Sequence, residues 1–331
     1  MSSSILSAVQ YDINFYGNLV FMIFGTIGNI FIIILFNKHH QNACAIYLKY
    51  SAIVNTINLI YYIPLRIFPI DYSRGTRDVL ILCKITIYIP NVIGQIAKTF
   101  VVMACIDRYL ITSDRVSFRA FSTPKRAKFV IIFAIIFWII FPIHAPIMQT
   151  IINGQCVKYG IYLTIYTFYA IVFIGGGPII ILIIFSYLTY RNMRQMKARI
   201  QPIPIHTTTE NNSIRRKDRD LLIIVIAEVF VYLMTTSLYP IILLEMVISQ
   251  YAIPNKSIQY TQIENFINNF SIFLLYIISA IPFYIYLISS KAFRRDFTQL
   301  IIHIYQKLTR QSNNQTIPRS QHTLNQQETR A

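Results

Sequence analysis

The sequence predicts an all-α membrane protein: a seven-transmembrane helix bundle with a short amphipathic cytoplasmic eighth helix. Three observations predict it. Hydrophobic residues make up 55% of the 331 residues and charged ones only 13%, too few to cover the surface of a soluble chain of this length. The apolar residues gather into runs long enough to cross a hydrocarbon core, which takes about 20 residues of helix. The net charge of +17 sits between those runs and not in a groove interleaved with aromatics. That distribution argues against a nucleic-acid partner and for a lipid bilayer.

The spans follow in order. Residues 15–36, 159–190 and 266–288 carry no charge, and 129–148 carries only His144. Three other spans are less pure: 50–68 ends near Arg66, 80–112 contains Lys98, and 221–248 contains Glu228 and Glu245. A charge inside a membrane is costly and usually faces the bundle interior or a cavity, so function is sought in these three. The expected division is a short extracellular N-terminus over 1–14, the bundle over 15–290, an amphipathic helix over 291–304 and a disordered cytoplasmic tail over 305–331. In the amphipathic segment Phe293, Phe297 and Leu300 recur at helical spacing while Arg294 and Arg295 suit anionic headgroups.

Basic residues cluster after spans three, five and seven, as at Arg115 and Arg119, Arg215 and Arg216, and Arg294 and Arg295. The segment before span one has no Lys or Arg. The positive-inside rule then places the N-terminus outside and the C-terminus in the cytoplasm of a plasma-membrane protein. The first residues lack a basic stretch and a small-residue cleavage site, so span one is expected to act as the signal anchor. On this topology Cys83 and Cys156 both face the oxidising side, and a disulfide between them is expected over two free thiols. Cys44 and Cys105 fall in the inner half and read as small buried residues, with palmitoylation the alternative for Cys44.

Asp107, Arg108 and Tyr109 close the third span at its cytoplasmic end, and Cys83 opens the same helix on the outer side. With seven spans and a partner cysteine in the second outer loop, this pattern resembles the rhodopsin-like (class A) G-protein-coupled receptors. Partial matches run from about residue 15 to residue 302. They include Gly28-Asn29 in span one, Trp138 in span four, and the helix-kink prolines Pro178, Pro240 and Pro282. The resemblance implies that Arg108, which cannot lose its charge, is held at rest by Asp107 and by Asp220 at the start of span six. Outward movement of span six would free it and admit a helix of a heterotrimeric G protein. The run "KDRD" around Asp220 also reads as a solvated helix start.

The departures from that pattern matter as well. Asn55 stands where the family usually has a carboxylate, Ile281 precedes Pro282 where an Asn is expected, and Leu238 replaces the usual aromatic two before Pro240. With hard oxygen ligands missing, no sodium site is expected. Lys98 lies too deep to snorkel and is expected to face inward toward Asn55, Glu228 or water. Residues 259–290 contain no lysine, against retinal binding, and the outer half of span three has no carboxylate for a small amine.

Instead, Arg66, Asn91, Gln95, Glu245 and Asn268 spread polar groups through the outer bundle. Each alone reads as structural, and together they suit a short peptide whose carboxylate meets Arg66 and whose amine meets Glu245. The short loop around Cys156 resembles invertebrate neuropeptide receptors. No enzyme activity, cofactor or metal is expected, because the six histidines are scattered. The competing reading is a seven-span membrane transporter or channel, for which the Gly175-Gly176-Gly177-Pro178 break is the one hint. Thr309, Ser312, Thr316, Ser320, Thr323 and Thr329 are tail sites at which a kinase and arrestin could act, with solvated filler the alternative. Asn255 opens a possible glycosylation motif in the third outer loop.

Overall fold

Each apolar run of the sequence folds as a helix, and most of the helices outlast the run that marks them. A computed structural model describes residues 3–38, 41–68, 77–152, 155–158, 160–198, 223–253 and 256–315. Its seven helices long and apolar enough to cross a membrane are α1 (Ile5–Asn37), α2 (Ala43–Ile67), α3 (Asp78–Thr112), α4 (Pro124–Met148), α5 (Ile161–Gln195), α6 (Ile223–Ala252) and α7 (Ile258–Ala280). The chain after α7 resumes as a helix over Pro282–Ser289, and α8 runs over Lys291–Gln315. Hydrophobicity marks only the part of a helix that lipid would cover, whereas polar caps set where it begins. Asn42 accepts from the Ala45 N–H at 3.3 Å, starting α2 well before residue 50. Ser257 caps α7 through the Tyr260 N–H at 3.2 Å, and Thr123, followed by Pro124 at the first helical position, caps α4.

Two segments carry more helix than the sequence marks. In the expected N-terminal segment, Ser3–Asp12 is helical and joins α1 through a π-turn at Ile13–Gly17. The final helix does not end at 304 but continues to Gln315, with no Gly or Pro to stop it before Pro318. Asp220 and Asn255 lie outside the described residues, as does the tail from 316.

α2 sits innermost, with 61% of its most apolar stretch buried, against 28% for α4 and α5. The outward side of α4 shows why the bundle suits lipid: Phe129, Phe133, Ile136 and Ile140 stand exposed at helical spacing. Glycines let some helices touch backbone to side chain. A Cβ on Gly28 would lie 2.8 Å from Phe283, and one on Gly175 would lie 2.8 Å from Pro240.

The prolines break these helices, and neighbours repair the breaks. Pro178 has no N–H to offer the carbonyl of Ile174, which lies in the π-turn Ala170–Gly176 of α5. The Tyr232 hydroxyl of α6 donates to that carbonyl at 2.7 Å. Before Pro282, the Asn29 amide of α1 donates to the Ser279 carbonyl at 2.9 Å. At the 3₁₀ turn around Pro142 in α4, the Tyr88 hydroxyl of α3 donates to the Ile139 carbonyl. Side chains that bond backbone carbonyls beside these prolines thus join α5 to α6, α1 to α7 and α3 to α4.

Between α4 and α5 the chain forms a hairpin, β1 (Thr150–Ile152) antiparallel to β2 (Gln155–Val157). A disulfide between Cys83 and Cys156 pins it to the first turns of α3. Cys44 and Cys105 are free and buried, and Cys44 has no exposed surface for an acyl chain to be attached.

Candidate functional site

Helix α3 carries polar groups along its whole length: Cys83 near one end, Asn91, Gln95 and Lys98 in the middle, and Asp107 and Arg108 at the other end.

At the Arg108 end the polar groups close on one another. Asp107 is 4% exposed and Arg108 1%, and their side chains pair at 2.9 Å. Arg108 also donates to the Asn42 side chain at 3.0 Å, so the residue that caps α2 binds the α3 guanidinium as well. The second oxygen of Asp107 accepts from the Ser122 hydroxyl at 2.5 Å, in the turn that follows the short helix Val116–Arg119. Tyr109 packs edge-on to Phe185 of α5 with ring centroids 5.3 Å apart. A buried ion pair is stable only with such extra hydrogen bonds, because each charge has lost its water.

Toward the disulfide end, a cavity of about 410 Å³ opens among α2, α3, α5, α6, α7 and the hairpin. Arg66, Asn91, Gln95 and Asn268 line it, as do the intrahelical Asn55 and Lys98. Arg66 donates to Asn269 at 3.1 Å and to Asn14 at 3.5 Å. Lys98 reaches the cavity, with its ammonium 5.9 Å from the Tyr232 ring centre. Glu228 is not its ion-pair partner: that carboxylate, 1% exposed, accepts from the Tyr286 hydroxyl of the helix after α7 at 3.0 Å.

Glu245 departs from its expected place. It does not line the cavity, and it accepts from the Tyr260 hydroxyl at 2.5 Å, joining α6 to α7. Nearby Glu264 pairs with Lys256 at 2.6 Å. These acids tie helix ends together where the chain turns between α6 and α7.

Gln149 and Lys158 are among the cavity residues that had no place among the sequence candidates. Gln149 is the residue between α4 and β1, and Lys158 lies just past β2. Lys158 stands 3.9 Å over the Tyr166 ring centre, and burial pushes its pKa from 10.5 down to about 8. Its position two residues after Cys156 was the available signal, since a disulfide to α3 draws the neighbouring side chains over the bundle mouth. Gln149 had no comparable signal. Asn29, Pro178 and Pro282 act in the backbone repairs above, Pro240 packs on Gly175, and Trp138 donates to Thr99 of α3 at 2.6 Å.

The chain matches no protein-family model and no curated protein.

Proposed function

We propose that the chain is a plasma-membrane receptor of the rhodopsin-like kind, with its N-terminus outside, that converts occupancy of the cavity into activation of a heterotrimeric G protein. The observation that carries this reading is the layout of α3. One helix is pinned by a disulfide at one end, lines the cavity in its middle and holds the buried Asp107–Arg108 pair at the other end. A rigid element shared by both sites is what lets a ligand at one bias the other, with a typical coupling of about 1–3 kcal/mol. The ligand acts by favouring an arrangement in which Arg108 leaves Asp107 and Asn42 and offers its donors to the G protein. The π-turn before Pro178 in α5 and the turn at Ser237 before Pro240 in α6 are the points about which those helices would move. Helix α8 lies on the inner leaflet, and the tail beyond it is the region on which kinases and arrestin act.

The test is nucleotide exchange on a panel of purified Gα subunits with the full chain in lipid nanodiscs. Exchange above the empty-nanodisc rate by at least one Gα, lost in Arg108→Ala, supports coupling. Exchange by none of the panel, together with ion or solute flux in proteoliposomes, would favour the transporter or channel reading.

A further inference from the structure

The cavity is unbalanced in charge. Three cations line it, Arg66, Lys98 and Lys158, against one carboxylate, Glu228. Among the described residues none of the three cations has an ion pair: Arg66 bonds to neutral amides, and the two lysines lie over tyrosine rings. Glu228 is already taken by Tyr286. The loss of Glu245 from the cavity removes the group that would have received a cationic ligand.

A second, independent observation concerns two glutamines. Gln95 is 1% exposed and Gln149 3%; neither amide atom of Gln149 has a hydrogen-bond partner among the described residues, and the Gln95 amide oxygen has none while its nitrogen faces the Tyr169 hydroxyl. Both line the cavity. Leaving a buried donor or acceptor unmade is costly, so such groups in a cavity mark what the ligand must supply. Each glutamine offers a donor and an acceptor side by side. A peptide unit supplies the matching acceptor and donor, whereas phosphate only accepts and a fatty acid leaves most of these atoms unmet.

We propose that the cavity binds a short peptide through an unpaired carboxylate held by Arg66 and Lys158, with its backbone amides paired to Gln95 and Gln149. This deepens the receptor reading above by fixing the charge of the ligand. Arg66 presents a planar fork to the carboxylate, and Lys158 adds a point charge from the disulfide-pinned hairpin. Tyr62, Tyr166, Tyr239 and Tyr276 give the cavity aromatic walls for apolar side chains. The carboxylate has two sources, a free C-terminus or an acidic side chain.

Thermal unfolding of the full chain in nanodiscs separates them, using three tetrapeptide pools. One has a free C-terminal carboxylate and no acidic side chain, one is C-amidated with a glutamate, and one is C-amidated with glutamine in its place. The first or second pool raises the unfolding temperature, and the third does not. Arg66→Gln and Lys158→Gln each weaken the half-maximal concentration at least tenfold. If Arg66→Gln does not reach the membrane, Lys158→Gln, on the hairpin, carries the test. Equal stabilisation by the third pool, unchanged potency in both variants, or no shift with any pool would overturn the proposal. Binding is read without a G protein, so a failure of nucleotide exchange alone leaves this inference standing and rejects only coupling.

Discussion

The two ends of α3 treat buried polar groups in opposite ways. At the Arg108 end, Asp107, Arg108, Asn42 and Ser122 bond to one another at 2.5–3.0 Å. Toward the disulfide end, Gln95 and Gln149 are as deeply buried; among the described residues the Gln149 amide meets no partner, and Arg66, Lys98 and Lys158 meet no carboxylate. A cluster whose members bond to one another holds one arrangement of helices and must be broken to do anything else. A cluster left unsatisfied stores a free-energy cost that only an incoming molecule removes. The first has the chemistry of a latch and the second that of a binding site.

The sharpest way to break the contrast is at the latch. Asp107→Ala leaves the Arg108 guanidinium buried without its carboxylate, and a loss of about 3–5 kcal/mol in detergent unfolding is expected. A loss of about 1 kcal/mol or less, the scale of an exposed pair, would contradict the closed cluster. Next comes the hairpin. The Cys83–Cys156 bridge closes a separation of 73 residues, so Cys83→Ser lowers stability by about 2–4 kcal/mol. Mild reduction of the parent protein should reproduce that loss, and insensitivity to reduction would rule the bridge out as a stabiliser.

Tyr232→Phe tests the repair at Pro178. It leaves the Ile174 carbonyl without its 2.7 Å donor and costs about 1–3 kcal/mol, measured by the same unfolding. An unchanged transition would mean that α5 satisfies the carbonyl within its own turn. The smallest effect is on pH. Lys158 has a folded pKa of about 8, below its ordinary 10.5, because burial disfavours the ammonium. Between those values the unfolded chain holds more protons than the folded one, so this lysine's contribution makes stability rise with pH through that window. Carboxylate binding runs the other way and weakens about tenfold from about pH 7 to about pH 9 as the ammonium is lost. Tyr166 beneath it, Arg66, Lys98 and Glu228 face the same cavity, so the control is Lys158→Gln, whose profile should be shallower than the parent's. A parent profile no steeper than the control's would remove Lys158 from the ligand site.

Much of this architecture was legible in the sequence because lipid imposes a simple rule: a spanning helix must be apolar over about 20 residues. The runs follow from that rule, and the Cys83–Cys156 bridge is the pairing the sequence leads one to expect. Helix ends do not follow from the rule, since they are set by Asn42, Thr123 and Ser257, single polar caps that hydrophobicity does not register. The cavity was legible where its residues lie on spans, as with Arg66, Asn91, Gln95 and Asn268. Glu245 was misplaced because its position along α6 is clear from the sequence but its direction is set by Tyr260, fifteen residues on. Lys158 and Gln149 sit beside a hairpin whose placement depends on the disulfide, and Asn42 and Ser122 reach the latch from loops. Contacts of that kind need three dimensions.

The central claim is that the two ends of α3 are separate in role and coupled in energy. The most direct measurement pairs peptide binding with Gα nucleotide exchange on the same nanodisc samples of the parent chain and Arg108→Ala. The account predicts that the carboxylate-bearing pool stabilises both proteins, yet accelerates exchange only in the parent. Acceleration that survives in Arg108→Ala would contradict it.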